Sequence, residues 1–443
     1  MLSYLTNRNL FKERISNFKK HPVVKNSVIY VVTDAINKAV PFLILPLLTH
    51  YLLPADYGIV VNYNVYINFL IIFIGISVQS VISVNFYKLQ KSEVASYIFN
   101  VILATLMTLS VCSLVVLIFN KELNDFLSVG TYYVIGGLFI AFSQVLSSIN
   151  LTVWRLEERP IYFGGYQISQ TICDVGVSLM LIIGLHMSWE GRLIGIGGSA
   201  LAYALFSLML LWQRGYLRVS YNKKYVKEIF AFCIPLIPHT ISIWARAGAD
   251  RIIISTLAGA SASGIYAAGF QFGLVISFLT LAFSNAYAPF LYKTLAITDN
   301  AVLELKKRKL VKFTYLYIIV LLAITLLATL GSNFVVDNFL SVKYVNAKIY
   351  LGWALFSQAF QGIYLMYAGF IFFVKKSGQL AIVTFVCSAL QVALSYYLVK
   401  SIGPMGAAYS NFAISLLNCI VVMILSARVY PMPWFNLRVL LAR

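Results

Sequence analysis

Apolar stretches recur twelve times along the chain, separated by short polar connections, and predict helices near 26–52, 58–87, 95–119, 130–153, 161–186, 192–213, 228–257, 263–292, 310–331, 347–374, 379–399 and 404–427. Each meets the roughly 20 apolar residues a helix needs to cross a hydrocarbon core. Lipid offers a backbone no hydrogen-bond partner, so each stretch satisfies its own amides by coiling. The predicted class is an all-α integral membrane protein with about twelve transmembrane helices.

The loops carry a second pattern. Of the 34 Lys and Arg residues, 26 fall on the side that holds both chain ends. Five (Lys121, Arg192, Lys343, Lys348 and Lys400) fall on the other, and Lys38, Arg246 and Arg251 fall within spans. One missed helix would invert every later loop, so the alternation supports the count of twelve. The excess of positive charge on one side predicts cytoplasmic termini in a plasma membrane.

The basic connection 214–227, with Arg214, Arg218, Lys223, Lys224 and Lys227, falls near the middle. It divides the chain into an N-terminal arm (1–25), a first six-helix bundle (26–213), a linker (214–227), a second bundle (228–427) and a tail (428–443). Tyr57-Gly58-Ile59 and Ser263-Gly264-Ile265 follow the first helix of each half at an offset of 206 residues. Six helices per half gives parallel repeats, an arrangement that encloses a central cavity and suits alternating access. The arm holds Arg8, Lys12, Arg14, Lys19, Lys20 and Lys25 without an apolar core, which fits a segment on anionic lipid rather than a cleaved signal.

Composition narrows the function. Sixty per cent hydrophobic residues, 11% charged and a mean hydropathy of +0.83 exceed what a soluble core uses. The net charge of +19 is dispersed over many loops and forms no groove for nucleic acid. Cys112, Cys173, Cys233, Cys387 and Cys419 all lie in predicted spans without a CxxC spacing and read as packing residues. No GxxxxGK[ST] loop, HExxH or Cys/His ligand pattern occurs, so the expectation is a transporter with no catalytic residues, no metal and no cofactor.

The candidate chemistry lies in charges within spans. Asp34 and Lys38 on the first helix, Asp174 on the fifth, and Arg246, Asp250 and Arg251 on the seventh would cost about 2.5 to 3.5 kcal/mol each if they faced lipid, so they are expected to face inward. Asp34 with Lys38 and Arg246 with Asp250 have the i, i+4 spacing of salt-bridge partners. Lys38, Arg246 and Arg251 are the candidate substrate contacts, Arg251 suiting equally a side chain that snorkels to the interface from near the end of its span, and Asp34, Asp174 and Asp250 are the candidate charge-pairing or ion-coupling groups. The same first and seventh helices hold Pro41, Pro46, Pro235 and Pro238, which predict bends.

Amides and phenols recur on helix two (Asn62, Tyr63, Asn64, Tyr66, Asn68, Gln79), helix eight (Gln271, Asn285, Tyr287) and helix ten (Gln358, Gln361, Tyr364). They suit a sugar-binding lining, and equally suit hydrogen bonds between helices.

The segments LILPLLTHYLLPADYGI (Leu43 to Ile59) and ADRIIISTLAGASASGIYAAG (Ala249 to Gly269) resemble the polysaccharide-transporter branch of the multidrug/oligosaccharidyl-lipid/polysaccharide exporter superfamily, the Wzx-type flippases. Pro46, Leu47, Thr49, Leu52, Tyr57, Gly58 and Ile59 carry the first motif. Asp250, Arg251, Gly264 and Tyr266 carry the second. The resemblance implies movement of undecaprenyl-diphosphate-linked oligosaccharide units for O antigen or a related polymer, through a cationic cavity, beside membrane lipids, a polymerase and a chain-length regulator. One departure stands out: the offset carries Asp34 and Lys38 onto Thr240 and Trp244, so the two charge clusters are not repeat equivalents. The rival expectations are a cation-coupled drug antiporter of the same superfamily, with acidic residues dominating the cavity, and a membrane scaffold for polysaccharide enzymes.

Overall fold

The computed structural model describes residues 22–434, except the side chains at 22–28, 31, 34 and 38. The arm before residue 22, the last nine residues and the side chains of Asp34 and Lys38 therefore lie outside the described residues.

Twelve helical paths follow one another: α1 (Pro22–Leu43, continued by Leu45–Tyr51), α2 (Pro54–Gly75), α3 (Lys91–Ile118), α4 (Thr131–Leu156), α5 (Pro160–Leu179), α6 (Trp189–Gln213), α7 (Lys223–Cys233 and Ile237–Ala258), α8 (Ala260–Gln271 and Gly273–Leu295), α9 (Asn300–Leu330), α10 (Lys348–Phe373), α11 (Ser377–Ile402) and α12 (Met405–Val429). Among the described residues, eleven of these paths, α2 to α12, are long and apolar enough to cross a membrane. The all-α membrane class read from the sequence holds. Leu114, Ile118, Leu205, Leu327 and Phe385 are exposed on the outer faces, an apolar exterior that lipid, not water, accommodates.

Local chemistry fixes where helices begin. The backbone amide of Leu53 donates to Asp56 at the start of α2, that of Gln90 donates to Glu93 at the start of α3, and those of Ala301 and Val302 donate to Asp299 at the start of α9. The prolines act where expected. α1 is interrupted at Ile44 between Pro41 and Pro46, and α7 passes through a 3₁₀ turn, Ile234–Leu236, between its two segments.

Each half buries its own core. Tyr63, Ile67, Ile98, Val134, Ile149 and Leu211 belong to the first, and Leu291, Val311, Ala359, Phe370 and Val422 to the second. Ile229 and Cys233 join the first core, so the amphipathic start of α7 packs on the N-terminal bundle and the chain crosses over at the Pro235 turn. Arg214, just beyond α6, pairs with Glu157 and lies against Trp154. Burial lowers the pKa of this guanidinium, Glu157 opposes the shift, and burial pushes the neighbouring Tyr216 phenol up to about 12.

A third apolar cluster spans the two halves at the face opposite the chain ends. Leu45, Leu48, Leu52 and Tyr57 meet Ala267, Phe272, Val336, Tyr344 and Leu351 there. The Tyr344 hydroxyl donates to the Leu52 carbonyl at 3.3 Å across this seam. Asn62 adds polar closure, donating to Ser255 Oγ at 2.7 Å and accepting from Ser263 Oγ at 3.1 Å. The bundles are thus sealed at the far face, and the space between them lies on the terminal side of that seal.

Candidate functional site

Beneath the seal lies a cleft of about 610 Å³ between the bundles, bordered by α1, α2, α6, α7 and α8. Its wall is largely aliphatic, including Pro41, Ile44, Val60, Val65 and Ile72, with Asn64, Asn68, Thr240 and Gln271 set into it. Two guanidinium groups border it, Arg192 and Arg251, and no carboxylate does among the described residues. The crossing of α2 and α7 forms its waist: Trp244 donates its indole N–H to the Val65 carbonyl at 2.9 Å and lies tilted against Phe69, and Gly248 lies close against Val65.

The two arginines are held differently. Arg192, in the first turn of α6, clamps Asp174 of α5 through two bonds of 2.8 and 3.1 Å and also donates to Ser178 at 2.7 Å. This forked geometry fixes the guanidinium and neutralises it. Arg251 is looser: one nitrogen donates to the Ala247 carbonyl, and its nearest carboxylate oxygen, on Asp250, is 3.8 Å away. Asp250 spends its oxygens elsewhere, accepting from the Arg251 backbone amide at 2.9 Å and from the buried Tyr266 hydroxyl. Arg251 is therefore the less compensated charge in the cleft. It lies seven residues, roughly 10 Å, before the end of α7, just under the seal.

Arg246 faces a different space. It borders a cavity of about 830 Å³ inside the C-terminal bundle, with His239, Gln358, Tyr364 and Gln391, and donates to Gln361 at 2.8 Å. The expected Arg246–Asp250 pair does not form. Both spacing and face allowed it, but the carboxylate is 4% exposed and takes the Tyr266 hydroxyl of α8 as its partner instead. Asp174 is likewise not an isolated carboxylate, since Arg192 holds it, and it borders a small polar pocket of about 150 Å³ with Gln144, Gln170 and Thr171. The placement of Asp34 and Lys38 in the cleft lies outside the described residues.

Arg192 is the functional candidate that sequence reasoning missed, because its position at a span boundary counts it as a loop charge. The signal available was the tight turn between α5 and α6, which makes those helices antiparallel neighbours and brings Asp174 and Arg192 to one level. Of the amide and phenol series, Asn64, Asn68 and Gln271 border the cleft, and Gln358, Gln361 and Tyr364 the C-terminal cavity. Others join helices: Tyr63 and Tyr66 donate to the carbonyls of Tyr133 and Val134, and Gln79 donates to Ser148.

The model of a family described as polysaccharide biosynthesis protein matches residues 23–295. The chain is 24% identical over 409 residues to a protein of the Lsg locus of Haemophilus influenzae, covering 89% of this chain and 97% of that one. Among solved structures, an inward-facing multidrug resistance MATE family transporter of the MOP superfamily superposes with a TM-score of 0.71 at 13% identity, over 88% of this chain and 94% of the other. An outward-facing transporter of that family gives 0.58 at 14% identity, over 92% and 95%. At these identities the likeness concerns the fold alone.

Proposed function

Since the chain belongs to the polysaccharide biosynthesis protein family, we propose that it is a flippase that carries a polyprenyl-diphosphate-linked oligosaccharide, a unit of O antigen or a related surface polymer, across the bacterial plasma membrane. The observation that carries this reading is a cleft closed at one end, bordered by two guanidinium groups and by no carboxylate among the described residues. With the basic-loop bias, the terminal side is cytoplasmic and the cleft is open to the compartment where such units are assembled.

The lipid tail stays in the bilayer while the diphosphate and sugars enter the cleft. Arg251 meets the diphosphate with its planar fork, and Arg192, neutralised and held by Asp174, faces it from the opposite wall as a fixed polar group rather than a free charge. Lys38 on α1 is the third candidate contact that the sequence offers, with Asp34 as its candidate charge partner. The diphosphate draws Arg251 off the Ala247 carbonyl and Asp250, and rearrangement at the seal then opens the far face. An inside-negative potential favours outward movement of an anion by about 2.3 kcal/mol per charge per 100 mV. Family and fold favour a transporter over an enzyme, with the polymerase and chain-length regulator of the pathway as neighbours in the membrane. A drug antiporter calls for acidic groups in the cleft, and its described lining supplies none.

The experiment is genetic. Deletion of the gene should remove the surface polymer and accumulate its lipid-linked units, and the wild-type gene should restore both. Restoration to wild-type levels by Arg251→Ala would refute the assignment of Arg251. Failure of the deletion to alter either lipid-linked units or polymer would refute the flippase reading.

A further inference from the structure

The C-terminal bundle borders a second space, lined by polar residue types more than the cleft is. Of the fifteen residues that border it, thirteen carry a hydroxyl, amide, imidazole or guanidinium, and none is acidic. Such a lining offers the mixed donors and acceptors that sugar hydroxyls need. Arg246 is its cation. It lies twelve residues before the end of α7, roughly 18 Å along the helix, and among the described residues its side chain has the neutral Gln361 as partner and no carboxylate. A cation at that depth is expensive unless the space is hydrated or an anion joins it.

The two spaces lie side by side. Ile243 and Ala247 border both, while Arg251 belongs to the cleft and Arg246 to the C-terminal cavity. One helix thus presents two guanidinium groups, five residues apart, to adjoining compartments. At about 830 Å³ the inner cavity is far larger than a monatomic anion requires, and a planar guanidinium matches a carboxylate.

We propose that this cavity is a saccharide subsite in which Arg246 recognises the carboxylate of an acidic sugar, so that the transported oligosaccharide contains a uronic or related sugar acid. This rests on the flippase reading, with the diphosphate at Arg251 and the sugar chain reaching past Ile243. Gln361 positions the guanidinium, and the surrounding amides and hydroxyls serve the ring hydroxyls.

The test is binding of free sugars to the purified full-length protein, read as a shift in melting temperature. Sodium glucuronate, glucose, sodium acetate and sodium chloride are compared, the salts at one ionic strength. Glucuronate is expected to stabilise the protein more than glucose or either simple salt. Arg246→Gln should weaken that binding by at least about tenfold, the loss expected for a charged hydrogen-bonding partner, and Arg246→Lys should retain part of it. Gln361→Glu, which supplies an internal carboxylate beside Arg246, should abolish the glucuronate shift in a protein that still folds. Equal shifts from glucuronate, acetate and chloride would make this a small-anion site and overturn the proposal. So would an undiminished glucuronate shift in Arg246→Gln or Gln361→Glu. Because free-sugar binding needs no transport, its absence beside intact export removes only this subsite. A gene deletion that leaves lipid-linked units and surface polymer unchanged, beside intact glucuronate binding, removes the flippase reading instead.

Discussion

Gly58 of α2 and Gly264 of α8 press backbone to backbone across the seam between the bundles. A Cβ on Gly58 would fall 1.9 Å from the Ala260 carbonyl oxygen and 3.1 Å from the Gly264 amide nitrogen. A Cβ on Gly264 would fall 2.0 Å from the Pro54 carbonyl oxygen and 2.9 Å from the Gly58 amide nitrogen. The contact is reciprocal, and the two glycines are the equivalent positions of the sequence repeat. The far face therefore closes where the two halves meet through matching residues, with no side chain between them.

Gly58→Ala should pry this seam apart, since the opposing atoms are backbone and cannot rotate away. Overpacking of this kind costs about 1 to 3 kcal/mol in a well-packed contact. Cysteines placed at Asn62 and Ser255, whose side chains now meet at 2.7 Å, report the seam directly in a background lacking the five native cysteines. The disulfide should form readily with Gly58 present and several-fold less in the Gly58→Ala variant. Equal cross-linking would mean that the glycine contact does not govern closure.

The Asp174–Arg192 clamp makes a different prediction. Asp174→Asn leaves Arg192 half-buried without its carboxylate and should lower stability by about 1 to 3 kcal/mol. Adding Arg192→Gln should recover most of the loss, because the stranded charge is then gone. The thermal unfolding midpoints of the two single variants and the double variant check this as a double-mutant cycle. If the clamp also couples transport to an ion gradient, Asp174→Asn changes the gradient dependence of export. Unchanged dependence leaves the pair a structural tie.

Tyr266→Phe removes the hydroxyl that satisfies one oxygen of the buried Asp250. The carboxylate keeps the Arg251 backbone amide on its other oxygen, so the expected destabilisation is about 1 to 3 kcal/mol rather than unfolding. The freed carboxylate should also turn toward Arg251 and weaken substrate binding. A variant with lowered melting temperature and reduced export supports this coupling. Reduced stability with undiminished export separates Asp250 from the cleft.

These relationships show which parts of the molecule the sequence made legible. Twelve helices, two halves and bends at the first and seventh helices follow from hydropathy, loop charge and proline alone, because each is a local consequence of solvent and backbone. The repeat that ends at Gly58 and Gly264 was visible as a motif, but its meaning as a contact needed three dimensions. Charges behaved otherwise. Spacing placed Arg246 and Asp250 within reach of each other, yet burial gave Asp250 to Tyr266 and turned Arg246 into the other cavity. Arg192 was indistinguishable from an orientation signal until α5 was seen beside it. Periodicity tells which side chains share a face. It does not tell which neighbouring helix that face meets.

The decisive measurement is translocation in vesicles that contain the purified protein and a fluorescent polyprenyl-diphosphate oligosaccharide, with a membrane-impermeant reductant quenching label on the outer leaflet. With wild-type protein the quenched fraction should rise well beyond the outer-leaflet half, and Arg251→Gln should slow that rise about tenfold or more, as loss of a charged hydrogen-bonding partner requires. Quenching that stops at the same fraction as in protein-free vesicles, or that proceeds equally fast with Arg251→Gln, would mean that the guanidinium-lined cleft does not carry the diphosphate.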